Sequence, residues 1–154
     1  MRTKLFAVAV ISVVCGFARF AGAEELTWRT GIAQIVQAKC AGCHSAVAKE
    51  YSDWNLGDKK DAPRMDTYPA FMTFVVWPAT GAIMRRLDDG TGAAGGKAGN
   101  MYSHLGDSDQ ERAANLAKLK GWLGEGAWNL NRWGARGEVP GVTKDQLDKI
   151  KAKY

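Results

Sequence analysis

Cys40-Ala41-Gly42-Cys43-His44 is the run of residues in this chain with the most specific chemistry. Two thiols with two residues between them in a helical turn stand at the separation of the two vinyl groups of a porphyrin. His44 then lies under the iron and can donate an imidazole nitrogen to it. The C-x-x-C-H spacing therefore reads as a covalent attachment site for one haem c. Three other readings compete. A zinc site needs two further good ligands, and outside the motif there is one His, His104, and one Cys, Cys15. A thioredoxin-like dithiol needs a βαβ context, whereas the residues before Cys40 look helical. A structural disulfide across two residues is uncommon.

The N-terminus agrees with the haem reading. Met1 to Ala23 has the form of a secretory signal peptide. Arg2 and Lys4 give a positive start, Leu5 to Val14 is apolar but for Ser12, and Ala21-Gly22-Ala23 offers small residues for cleavage. The apolar run is too short for a bilayer anchor, so no stable membrane insertion is expected. A lipoprotein role for Cys15 would call for a small residue before it, where Val14 stands. Haem is attached beyond the cytoplasmic membrane, so export and motif point to a periplasmic protein. Cleavage would remove Arg2, Lys4 and Arg19 and no acid, bringing the net charge from +5 to +2. The basic balance is thus largely a property of the signal and predicts no nucleic-acid partner. With 154 residues, 46% apolar and 24% charged, the rest suits one globular domain. These values exclude a disordered tail, a collagen-like repeat and a multi-spanning membrane protein.

The elements that must position the motif are helical. Thr27 can cap a helix running to about Cys40, with Ile32, Ala33, Ile35 and Val36 on one face. Ser45 to Met65 is polar and turn-rich, a loop folded over one haem edge. Asp66 or Thr67 can start a second helix, with Pro69 near its first turn, through Phe71, Met72, Phe74, Val75 and Val76. Pro78 breaks it at Trp77, and a short helix follows from Pro78 to about Asp88. Gly90 to Asn100 holds five glycines and reads for most of its length as a flexible surface loop. Ser108-Asp109-Gln110-Glu111 matches a capping box. It opens a helix with Leu116, Leu119, Trp122 and Leu123 on one face, ending near Gly124 or Gly126. Thr143-Lys144-Asp145-Gln146 is a second such box, opening a last helix through Leu147 and Ile150. No alternating strand pattern occurs, so the fold class is all-α.

In this order of elements the chain resembles the class I c-type cytochromes, over roughly Thr27 to Gly126. The resemblance implies a cytochrome c domain over 24–126, with 127–154 an added arm and helix packed on it. It implies that the N- and C-terminal helices cross, with Gly31 and Trp122 at the contact, although Gly31 stands nine residues before Cys40 where the family has eight. It gives Pro63, in Ala62-Pro63-Arg64-Met65, the role of accepting a hydrogen bond from the proximal His. It places the axial Met after the Gly-rich loop, where Met101 stands. Met72 and Met84 lie among apolar residues and read as core. Met65 comes early in the chain, and His104 is the rival to Met101. Tyr102 can bond a haem propionate or shape the distal side. Trp54, Trp77 and Trp128 can wall the haem or donate to a propionate, or simply pack the core. Lys144, Lys149, Lys151 and Lys153 make a basic end, either a solvated face or a docking patch.

The function so implied is that of a single-haem electron carrier, not an enzyme. Its iron is held by His44 and Met101, and its partners are periplasmic or membrane-bound redox proteins met transiently. Two alternatives stand beside it. One is a haem enzyme or sensor with a displaceable sixth ligand. The other is an electron-transfer subunit of a larger oxidoreductase.

Overall fold

The structure is a computed structural model, and it describes residues 25–48, 64–76, 80–93, 95–130 and 144–154. Residues 1–23, read above as a signal peptide, and Trp54, Pro63, Trp77, Pro78 and Thr143 lie outside these residues. Secondary structure among the described residues is helix and turn, an all-α arrangement. No helix among them is long and apolar enough to cross a membrane.

The first helix starts where its cap dictates. Thr27 is extended, its hydroxyl accepts the Thr30 N–H at 3.2 Å, and the Thr30 hydroxyl accepts the Thr27 N–H at 2.9 Å. This is a capping box closed by a threonine in place of the usual Glu or Gln. The opening turn, Trp28–Ile32, is π-helical and runs into α1, Ala33–Lys39. Trp28, Ile32, Ile35 and Val36 are buried, the stripe of an amphipathic helix. Helix α2, Ala41–His44, is a single turn carrying the cysteine motif.

Helix α3, Tyr68–Met72, is shorter than the sequence suggests. Thr67 caps it, Pro69 sits in its first turn, and the chain continues to Val76 as tight turns. Helix α4, Ala82–Leu87, begins four residues later than Pro78. Gly81 starts it at φ +72°, a conformation glycine adopts without strain, and α4 buries Ile83, Met84 and Leu87. A 3₁₀ turn, Tyr102–Leu105, leads to α5, Asp109–Leu123. Ser108 caps α5 by accepting the Glu111 N–H at 3.1 Å. The Glu111 carboxylate reaches back one residue further than the standard box, to the Asp107 N–H at 2.7 Å. Leu116, Leu119, Trp122 and Leu123 are buried as their spacing predicts, and Gly124 ends the helix at φ +112°. Helix α6, Lys144–Asp148, stops short of Ile150.

The meeting of the terminal helices departs from the implied geometry. A Cβ on Gly31 would meet Leu26 and no atom of Trp122. Trp122 instead packs against Trp28 and Phe71, each ring centroid 6.0 Å from its own, with Tyr68 at 6.4 Å. The contact is aromatic on both sides, so a glycine is not needed to let the helices approach. The C-terminal residues close over this cluster. The Lys153 carbonyl accepts the Trp28 N–H and the Trp122 indole N–H, each at 2.8 Å. The Ala152 carbonyl accepts the Tyr68 hydroxyl at 3.2 Å, and the Arg29 guanidinium stacks over the Tyr154 ring. Lys153 pairs with Glu25 and Lys144 with Asp148, so two of the four lysines of the basic end already have acidic partners.

Candidate functional site

Cys40 ends α1 and begins α2. Its N–H still bonds the Val36 carbonyl, and its own carbonyl accepts the Cys43 N–H at 3.1 Å and the His44 N–H at 2.8 Å. One turn therefore holds both cysteines and His44, as a C-x-x-C-H site requires. Both cysteines are free thiols, Cys40 half-buried and Cys43 exposed. Burial, with neighbouring Cys43 adding to it, pushes the Cys40 thiol up to about 11, so it is protonated at neutral pH. Gly42 between them has open space around it.

Contacts at and on either side of this turn fix it to the rest of the chain. The Met65 N–H donates to the His44 carbonyl at 2.8 Å. Gln37 donates to the Asp66 carbonyl at 3.1 Å, and the Asp66 carboxylate, held below its ordinary value first by the Arg64 guanidinium, is 3.5 Å from the Ala46 N–H. Lys39, one residue before Cys40, reaches Glu111 at 2.8 Å and Asp107 at 3.0 Å, tying the end of α1 to the start of α5. These fastenings were not read from the sequence. Their only local signal is the Asp66-Thr67 helix start, and Lys39 resembles any solvated lysine.

Met101 stands at the N-terminal end of the 3₁₀ turn, half-buried against the core. The turn packs on α1, α4 and α5. The Met101 N–H donates to the Arg86 carbonyl at 2.9 Å. Most described residues of the preceding loop are exposed, as a surface loop's are, but its two ends are tightly packed. A Cβ on Gly90 would stand 2.6 Å from the Gly96 carbonyl oxygen, and one on Gly99 2.2 Å from that of Arg86. These glycines are there for close backbone approach.

His104 lies in the same turn but is exposed. Met84 is fully buried, its sulfur 2.9 Å from the Asn129 N–H, and Met72 packs at the core margin. Tyr102 is half-buried beside Met101. Trp128 is neither a free donor nor simple filler, because its indole N–H goes to Asp88 at 2.9 Å.

The residues fit a covalently held haem. Two free thiols and an imidazole share a turn, and a half-buried thioether sits on a separate element packed against the same helix. Cys40, Met65, Met72, Phe74, Val76, Met101 and Tyr102 are left partly exposed at the margin of the core, the kind of apolar surface a porphyrin covers. Among the described residues no cluster of three or more His, Cys, Asp or Glu could hold a bare metal ion. A cavity of about 370 Å³ lies elsewhere, between Val75, Met84, Trp128 and Ile150, and includes none of the motif residues.

Comparison with known proteins matches this geometry to one family. The profile of the PccH Cytochrome c family matches residues 27–154, a span that includes the C-terminal arm. The solved structure of the monohaem cytochrome PccH from Geobacter sulfurreducens is 43% identical, with a TM-score of 0.67. The match covers 84% of this chain and 99% of that one. No curated protein matches.

Proposed function

The chain belongs to the PccH cytochrome c family, an electron-transfer cytochrome with one covalently bound haem c, and from that premise we propose that it shuttles single electrons between redox proteins of the periplasm. The observation that carries the reading is the single turn Cys40–His44, with two free thiols and the imidazole in register. Cys40 and Cys43 would hold the haem covalently through their sulfurs. His44 is the proximal ligand, steadied through its carbonyl by the Met65 N–H.

Met101 is the sixth ligand. Its half-buried place on a turn packed against α1 supports this, as does the engagement of the Met84 sulfur by Asn129. The Met65 N–H is engaged with the His44 carbonyl, so Met65 stands beside the motif rather than on a separate element. His104, three residues on in the same turn, is the rival. Tyr102, next to the ligand, would shape the distal side, and Pro63 has the role that the family resemblance gives it, accepting a hydrogen bond from His44.

The bound haem supplies a one-electron Fe(III)/Fe(II) couple, and Met/His ligation raises its potential relative to two histidines. The protein's part is to fill both axial positions, so that no substrate site is open, and to keep water from the porphyrin. Partners meet the haem edge transiently. Absorption spectra of the ferric and ferrous protein, with and without CO, test this. Low-spin spectra, a ferric sulfur-to-iron charge-transfer band and no rapid CO binding are expected. A low-spin spectrum without that band would move the role to His104, and a high-spin, CO-reactive one would overturn the carrier reading.

A further inference from the structure

Asp88 is only 2% exposed, yet no step assigned above uses it. It stands where the chain leaves α4 for the glycine loop, and both ends of that loop close on it. Its carboxylate Oδ2 accepts the Gly90 N–H at 2.8 Å, and its carbonyl accepts the Gly99 N–H at 2.8 Å. Arg86, two residues earlier, carries the loop's exit through its bonds to Met101 and Asn100, each 2.9 Å. The second carboxylate oxygen, Oδ1, accepts the indole N–H of Trp128, from the segment after α5. Lys120 of α5 stands 4.0 Å from the same oxygen and over the Trp128 ring. One buried carboxylate thus joins the Met101 loop to the C-terminal arm.

We infer that Asp88 and Trp128 are positioning residues for the sixth iron ligand. The carboxylate clamps the loop that carries Met101, and the indole holds the carboxylate in place. The inference rests on Met101 being that ligand. A buried charge that loses a donor is under-satisfied, and it recovers by admitting water or shifting the loop end. A thioether is a weak donor, so its hold on iron depends on how firmly its loop is fixed. Losing one hydrogen bond of ordinary worth increases the fraction of molecules with the ligand released by about tenfold.

The test uses the haem-loaded protein with Trp128→Phe, which removes the indole N–H together with the second ring and leaves the charge, and with Asp88→Asn. Met101→Ala and Trp122→Phe serve as references. Trp122→Phe loses a similar indole bond, to the Lys153 carbonyl, at the terminal-helix contact. CO uptake by the ferrous protein is followed by stopped flow, and the ferric charge-transfer band is followed on heating. Trp128→Phe is expected to speed CO uptake about tenfold and to lose the band at lower temperature, with haem content unchanged. Asp88→Asn should do at least as much, and Trp122→Phe should keep the parent rate. If Met101→Ala is fast while both clamp variants stay within about twofold of the parent, the clamp is wrong and the ligand assignment stands. Equal acceleration by Trp122→Phe would also overturn the clamp, since general loosening would then suffice. If Met101→Ala keeps the band and the parent rate, the ligand assignment fails and takes the inference with it. Should Asp88→Asn fail to load haem, Trp128→Phe decides alone.

Discussion

Gly99 shows how one residue type can matter through what it lacks. Its backbone passes so close to Arg86 that an added Cβ would stand 2.2 Å from the Arg86 carbonyl oxygen and 2.5 Å from that of Arg85. The obstacle is backbone, which no rotamer change relieves. Gly99→Ala is therefore expected to cost about 1–3 kcal/mol, as overpacking does, and to weaken the iron ligation proposed for Met101, two residues on. A lower melting temperature together with loss of the ferric charge-transfer band on mild warming would bear this out, and parent-like values of both would refute it. Met101→Ala should leave haem attached but open the site to CO and lower the potential, whereas His104→Ala should change neither. The C-x-x-C-H run was legible because its chemistry is local and its spacing specific. Asp88 was not. An acid in a polar stretch reads as solvated, and only Trp128, 40 residues away, reveals that it is buried.

At the scale of elements, caps were legible where contacts were not. Thr27, Thr67 and Ser108 each accept an N–H three residues ahead, so each helix start is written within four residues of sequence. The shortening of α3 into tight turns was less visible, because Phe71, Phe74 and Val75 keep a helix-like apolar spacing after the α-helix has ended. The end of α1 is joined to the start of α5 by Lys39 with Glu111 and Asp107, residues far apart in sequence. Glu111 is held below its ordinary 4.5, first by the Lys39 hydrogen bond and then by the Asp107 N–H. Its contribution to stability is full above 4.5 and fades as pH falls through the lowered folded value. Lys39 is held above its ordinary 10.5, first by Glu111 and then by Asp107. Its contribution is full below 10.5 and fades only as pH rises through the raised folded value. The bridge therefore operates across neutral pH and weakens on acidification. Lys39→Met is expected to lower the melting temperature at neutral pH and to flatten its decline as pH falls below 4.5, because the salt-bridged carboxylate no longer drives that decline. Parallel melting curves for variant and parent over that range would show that the bridge contributes nothing to acid sensitivity.

At the scale of the molecule, the chain's end completes the core. The aromatic cluster of Trp28, Tyr68, Phe71 and Trp122 gathers residues from the π-helical opening turn, α3 and α5, and the tail seals it. The sequence showed lysines there and hid the tail's real work, which is done by main-chain carbonyls that no side-chain pattern announces. The Lys151 N–H donates to the Leu123 carbonyl at 2.7 Å, so the tail also satisfies the end of α5. Deleting Lys151–Tyr154 leaves that carbonyl and the Trp122 indole N–H without these partners and uncovers Tyr68. Each orphaned polar group costs about 1–3 kcal/mol, a large share of the roughly 5–15 kcal/mol that holds a domain folded. The truncated protein, with its haem still covalently attached, is expected to melt about 10 °C or more below the full chain. The haem spectrum at low temperature should be retained, because the tail contacts the terminal-helix side rather than the Met101 loop. An unchanged melting temperature would mean that the aromatic cluster holds without its cover. Loss of the low-spin spectrum in the cold would mean that the tail supports the iron site as well as the core.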